Sequence, residues 1–191
     1  MRSPSLLLYA GDRLTLAELC AARLDGDVVE LGEAFLPADA VESAALRAQS
    51  LAPLLTPAVA ITHASAAWVH GAIPEAPARH TLQRAVPWRP HHLWDRRFVY
   101  RDALLPADDV RELGGIAIAS RERTVVDLLR RGAPGDQDAA RSLAGLHPEV
   151  LPAALRWTER NLPHAGMRAA RARLLAWTVR PDGRDYEEVT R

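Results

Sequence analysis

Arginine dominates the chemistry this sequence can offer: all 24 basic residues are Arg and none is Lys. A guanidinium keeps its charge and grips phosphate or carboxylate in a bidentate fork, but it is neither a nucleophile nor a base near neutral pH. Without Lys, a P-loop and a Schiff-base mechanism are both excluded. Arg79, Arg84, Arg89, Arg96, Arg97 and Arg101 crowd into residues 79–101 against the single acid Asp95, with Trp88 and Trp94 among them. These six are the candidate DNA- or partner-binding residues, because Arg interleaved with aromatic rings suits a phosphate backbone or an acidic protein surface. The same pattern also describes an Arg-rich solvent face of a small sheet with Trp over its edge. The chain is formally neutral, yet residues 1–60 carry a net charge of −4, while residues 79–101 and 156–184 each carry +5. A neutral total therefore still allows basic faces.

No residues assemble a catalytic centre. The sequence has no G-x-S-x-G, H-E-x-x-H or G-x-G-x-x-G pattern, so the nucleophile elbow, the zinc-protease helix and the dinucleotide turn are all missing. Cys20 is the sole cysteine; on the apolar stripe of a helix it reads as a small buried hydrophobe and not as a reactive thiol. His80, His91 and His92 lack a carboxylate or Cys at ligand spacing and read as surface residues. Asp108-Asp109 and Glu187-Glu188 read as solvated acidic turns. The expectation is a protein that is not an enzyme, with no catalytic residue, no metal and no cofactor.

Two segments carry more information. In Thr62–Gly71, Thr62 is placed to cap a short helix with Ser65 at N3 returning a weak hydrogen bond. Ala64, Ala67 and Gly71 form a nearly bare stripe that lets another backbone approach, with Trp68 as the large anchor beside it. In Gly115–Leu129, a strand runs into a helix capped by Ser120, and Arg123 and Asp127 stand four apart on one face. With the cation toward the helix N-terminus, that order is the less favourable one for an isolated helix, so tertiary partners explain it better. The pair is either a structural tie between helix and sheet, or Arg123 faces a partner or ligand.

The elements that position these segments follow from periodicity. Residues 15–24 read as a helix with Thr15 and Glu18 in a capping box and Leu16, Leu19, Cys20 and Leu24 on one face. Val28–Leu36 reads as a hairpin around Gly32-Glu33, and residues 42–55 as a helix stopped near Pro53 and Pro57. Short strands are expected at Val59–Ile61, His80–Val86, Arg97–Arg101 and Ile116–Ala119. Helices are expected at about 121–131, 136–145, 149–161 and 165–178, followed by a loose polar tail from Arg180. The 191 residues are 48% hydrophobic and 25% charged, a globular composition. No apolar run reaches the length of a membrane span or of a signal h-region, so the chain reads as cytoplasmic.

Taken in order, Thr62-His63-x-Ser65-Ala66-Ala67 with Gly71, then Gly115-Ile116 with Ser120, Arg123, Thr124 and Asp127, resemble the AbiEi antitoxin family over roughly residues 15–130. His63, Ser65, Gly71, Arg123 and Asp127 are the family-motif residues, structural or partner-facing. The resemblance implies an antitoxin of a type IV toxin–antitoxin system. Such a protein counters a nucleotidyltransferase-type toxin without binding it stably and represses its own operon through an N-terminal winged helix-turn-helix that binds promoter DNA. In this chain only Asp25-Gly26-Asp27 joins the first helix to the hairpin, which leaves no room for a recognition helix, and the segment is acidic. The expected architecture is α+β: a degenerate winged-helix-like unit at residues 1–57, then an AbiEi-like domain at 58–191 with short strands in the middle and a helical C-terminal end. Two other readings remain: a stand-alone DNA-binding transcriptional regulator acting through the Arg79–Arg101 face, and a protein-interaction module without DNA affinity.

Overall fold

A computed structural model describes residues 6–90 and 95–178. His91, His92, Trp94 and the tail from Arg180 lie outside the described residues. The first helix, α1, spans Leu16–Asp25 and starts as its sequence dictates. The Glu18 backbone N–H donates to Thr15 Oγ1 at 3.3 Å, and Glu18 Oε2 accepts from the Thr15 backbone N–H at 2.7 Å. Its expected apolar stripe is only partly used. Leu19 is fully buried against Val28 and Phe35, whereas Leu16, Leu24 and Cys20 are exposed. The expectation of a buried Cys20 is thus corrected: α1 packs on one thin hairpin, which covers a strip too narrow for the whole stripe.

That hairpin pairs β1 (Val28–Leu31) with β2 (Ala34–Pro37) in antiparallel register, closing at Leu31↔Ala34 around Gly32-Glu33. Alternation along β2 sends Phe35 toward α1, and Ala34 and Leu36 toward the main core. Helix α2 (Ala44–Ser50) is capped by Ser43, and a 3-10 turn at Ala52–Leu54 follows it. The α-helix ends earlier than its apolar pattern because Pro53, which has no N–H to donate, falls in that tighter turn.

The main sheet has five strands: β3 (Val59–Ile61), β4 (His80–Arg84), β5 (Phe98–Arg101), β6 (Val110–Leu113) and β7 (Ile116–Ala119). Their spatial order is β5-β4-β3-β7-β6. β3 runs antiparallel to β4 and parallel to β7, β4 is parallel to β5, and β6 and β7 form a hairpin through Gly114-Gly115. The central strand β3 is buried along its length, as its uninterrupted Val-Ala-Ile requires. Periodicity missed β6: Val-Arg-Glu-Leu is short and lies at the sheet edge, with Arg111 and Glu112 exposed.

Between β3 and β4 sits α3 (His63–Val69), the short helix of the first motif. It serves two cores at once. Ala66, Trp68 and Val69 pack into the cluster that holds the sheet, α2 and the hairpin. Ala67, flanked by Ala64, packs into the cluster of the C-terminal helices. The bare stripe therefore does what its residues predict, admitting a second helix at close range. Gly71, at φ +84°, turns the chain out of α3, a left-handed conformation that costs a residue with a side chain about 1–2 kcal/mol. Four helices complete the chain: α4 (Arg121–Arg131), α5 (Asp136–Leu146), α6 (Val150–Arg160) and α7 (Met167–Thr178). α4 packs against α3 and against each of the other three, and α5 also reaches α3; α4 is buried continuously from Arg123 to Leu129. Sheet, short strands and helical end make the mixed α+β architecture expected.

Candidate functional site

The second motif builds a buried ionic cluster. Ser120 follows β7 and caps α4, its hydroxyl accepting from the Arg123 backbone N–H at 3.3 Å. That fixes the first turn, so Arg123 and Asp127 meet: Arg123 Nε donates to Asp127 Oδ2 at 2.9 Å. Arg123 Nη1 donates to Asp109 Oδ2 at 2.8 Å, and Trp157 Nε1, from α6, donates to Asp109 Oδ1 at 2.7 Å. The Trp157 ring lies 5.0 Å from the Arg123 guanidinium carbon, close enough for a cation–π contact. Asp109 ends a 3-10 turn at Ala107–Asp109, and its carbonyl accepts from the Ser120 N–H at 2.7 Å. One guanidinium thereby joins the sheet edge, α4 and α6.

Burial and charge compete here. Burial works against the Arg123 charge, but Asp127 and Asp109 outweigh it and raise its pKa. Burial pushes the Asp127 carboxyl upward, while Arg123 and Arg130 oppose that shift. Sequence reasoning missed Asp109 and Trp157. Asp108-Asp109 read as a solvated turn, and that holds for exposed Asp108 only; Asp109 is buried. The missed signal is an Asp immediately before an edge strand, which becomes legible only once β6 is known.

Next to this cluster lies a cavity of about 380 Å³ lined by His63, Gln83, Arg101, Ala103, Arg123, Asp127, Arg130, Arg131, Ala165 and Gly166. His63 opens α3 at φ +54°, the one described non-glycine residue with positive φ. Its Nδ1 is 3.0 Å from Thr62 Oγ1. Burial, and then the field of Arg101, Arg131 and Arg123, push its pKa down to about 3. Arg130 donates from Nε to the Ala165 carbonyl at 3.1 Å and lies 3.7 Å from Asp127. Arg131 Nε donates to Asp136 Oδ2 at 2.6 Å. The Arg101 side chain has no hydrogen bond or ion pair among the described residues.

Of the remaining motif residues, Gly71 ends α3 and Ser65 bonds within the fold. The Ser65 hydroxyl accepts from the Thr81 N–H at 2.9 Å and lies 3.3 Å from His80 Nδ1, so it bonds across to β4 and not back to Thr62 as expected. His80 is buried beside Trp68, which corrects its reading as a surface residue. At the far end of α3, Arg47 of α2 donates from Nη1 to the Trp68 carbonyl at 2.6 Å and to the Ile73 carbonyl at 3.2 Å. Among the described residues, no His, Cys, Asp and Glu side chains cluster in a way that could hold a metal ion.

The six arginines of the basic run do not form one free face. Arg79 donates to the carbonyls of Arg96 and Phe98 at 3.1 and 3.0 Å. Arg84 donates to the carbonyls of Asp102, Val86 and Pro87. Arg97 is held by Asp95 and Glu33, and its hydrogen bonds push the Asp95 carboxyl down to about 2. Arg89 pairs with Asp102 at 2.8 Å while its side chain stays 78% exposed. The Arg96 side chain, like that of Arg101, has no such partner among the described residues. Trp88 is exposed. No helix among the described residues is long and apolar enough to cross a membrane.

Comparison with curated proteins yields no match. The family model of the AbiEi antitoxin C-terminal domain matches residues 58–176, from the start of β3 nearly to the end of α7. Both motifs, the buried cluster and the cavity fall within that span. The chain therefore belongs to the AbiEi antitoxin family and carries the antitoxin domain of a toxin–antitoxin pair.

Proposed function

We propose that this protein is the antitoxin of a type IV system, countering a nucleotidyltransferase-type toxin without holding it in a stable complex, and acting as a regulator and not by turnover. The observation that carries this reading is the family match over residues 58–176. The five motif residues support it, since all of them lie inside that domain. Co-expression with the neighbouring toxin gene tests it: growth is restored across several expression ratios, and unchanged toxicity at every ratio rejects it. Pull-down of the two chains is expected to recover no stable complex.

The proposal extends to control of its own operon. Residues 1–57 supply a hairpin between two capped helices, α1 and α2, which we read as a degenerate winged-helix-like unit with an acidic surface. Promoter DNA is better placed against the basic run. Arg79, Arg84 and Arg97 are committed to internal partners and Arg101 lines the cavity, which leaves the exposed Arg89 and Arg96 as the phosphate contacts. About two neutralised phosphates give a salt slope near −2 in log affinity. A salt-titrated gel shift on the upstream DNA reads this slope. Absence of binding at low salt removes operon control and leaves the antitoxin reading standing.

A further inference from the structure

Polar and cationic side chains converge on the cavity beside the ionic cluster. Gln83 and His63 line it, each more than nine-tenths buried and each with a side-chain atom left unbonded among the described residues. The Gln83 amide, on β4 and 3% exposed, makes no hydrogen bond. His63, 5% exposed, bonds Thr62 through Nδ1 and leaves Nε2 without a partner. Both groups open onto the cavity, His63 from a left-handed backbone.

The charge around the cavity is uneven in the same direction. Arg101, Arg123, Arg130 and Arg131 converge there. The nearby carboxylates are Asp127, Asp109 and Asp136, of which Asp109 and Asp127 pair Arg123, and Asp136 pairs Arg131. Arg130 reaches Asp127 only at 3.7 Å, and Arg101 has no acid. The excess cation faces the open side. The remaining walls are Ala103, Ala165 and Gly166, and no Trp, Tyr or Phe lines the space to stack a nucleobase.

We propose that this cavity binds a small phosphomonoester with a polar, hydroxylated body. Its phosphoryl oxygens accept from the guanidinium groups of Arg101 and Arg130, which suit a bidentate oxyanion. The Gln83 amide and His63 Nε2 bond the rest of the molecule. The volume, about 380 Å³, falls in the range of roughly 300–1,000 Å³ usual for small-molecule sites. The inference stands on cavity geometry alone, so it survives or fails independently of the antitoxin reading.

The test uses the full chain and three probes: inorganic phosphate, ribose 5-phosphate and uncharged ribose, followed by calorimetry and by 31P line broadening. Ribose 5-phosphate is expected to bind saturably and at least tenfold more tightly than inorganic phosphate, with ribose silent. Arg101→Ala, at an exposed and unpaired position, leaves the melting temperature unchanged and weakens ribose 5-phosphate at least tenfold. Arg23→Ala, on the distant N-terminal unit, changes nothing. Gln83→Leu is expected to bind ribose 5-phosphate no better than inorganic phosphate while the empty protein melts no lower than the parent; a merely structural Gln83 would lower it. Absence of saturable binding by either phosphate probe overturns the proposal. So does ribose 5-phosphate binding that survives Arg101→Ala undiminished.

Discussion

Asp109→Ala tests the reading of the buried cluster most directly. The carboxylate accepts from Arg123 Nη1 at 2.8 Å and from Trp157 Nε1 at 2.7 Å, and it is buried with both donors. Truncation leaves the indole N–H unpaired and Arg123 balanced by Asp127 alone. Removing one partner of a buried ion pair costs about 3–5 kcal/mol, because the stranded charge keeps its desolvation penalty. For a chain of this size, each kcal/mol lowers the melting temperature by about 2–4 °C, so the shift is roughly 10 °C. Asp109→Asn keeps the shape and one acceptor but loses the charge, and is expected to cost about 2–3 kcal/mol. The control is its neighbour: Asp108 is exposed, and Asp108→Ala is expected to stay within about 0.5 kcal/mol of the parent. Urea unfolding followed by far-UV dichroism, with Trp fluorescence as a second probe, measures all three. If Asp109→Ala falls within about 1 kcal/mol of Asp108→Ala, the cluster does not hold the sheet edge to α4 and α6, and the energetic reasoning is refuted.

Three further outcomes are expected. Burial holds His70 neutral with a pKa of about 4 while its Nε2–H donates to the Ala119 carbonyl at 2.9 Å. The unfolded chain protonates near 6.5, so this contribution is intact above that pH. It is lost progressively as pH falls toward 4, by about 3 kcal/mol from this residue. His70→Gln should flatten the urea midpoint against pH over that window, and an unchanged slope would contradict the assignment. Arg47→Met removes the two bonds to the Trp68 and Ile73 carbonyls and should cost about 2–3 kcal/mol by chemical denaturation; a change below about 0.5 kcal/mol would show that the end of α3 does not depend on it. His63→Asn keeps a side chain that tolerates the left-handed backbone. It should preserve stability within about 1 kcal/mol while weakening ribose 5-phosphate in the calorimetric assay, and undiminished binding would place His63 outside the site.

Local signals in the sequence were sufficient where a segment's structure depends on its own residues. The Thr15–Glu18 box, the Gly32-Glu33 hairpin, the Ser120 cap and the four C-terminal helices follow from spacing and capping chemistry. So does the role of the bare stripe on α3, and the two ordered motifs led to the family to which the chain belongs. Tertiary structure alone decided what each polar group faces. Arg123 and Asp127 were visible as a pair, but their partners Asp109 and Trp157 lie 14 residues before Arg123 and 30 after Asp127, and no local period connects them. Sequence spacing also gave one basic run where the fold divides it: Arg79, Arg84 and Arg97 bind the protein itself, while Arg101 turns to the cavity. Cys20 and His80 exchanged their expected environments for the same reason, since burial depends on which element covers a face. The types of side chain were set by the sequence, but which of them are left with unbonded atoms, as Gln83 and His63 are beside Arg101, was set by how β4, β5, α3 and α4 pack.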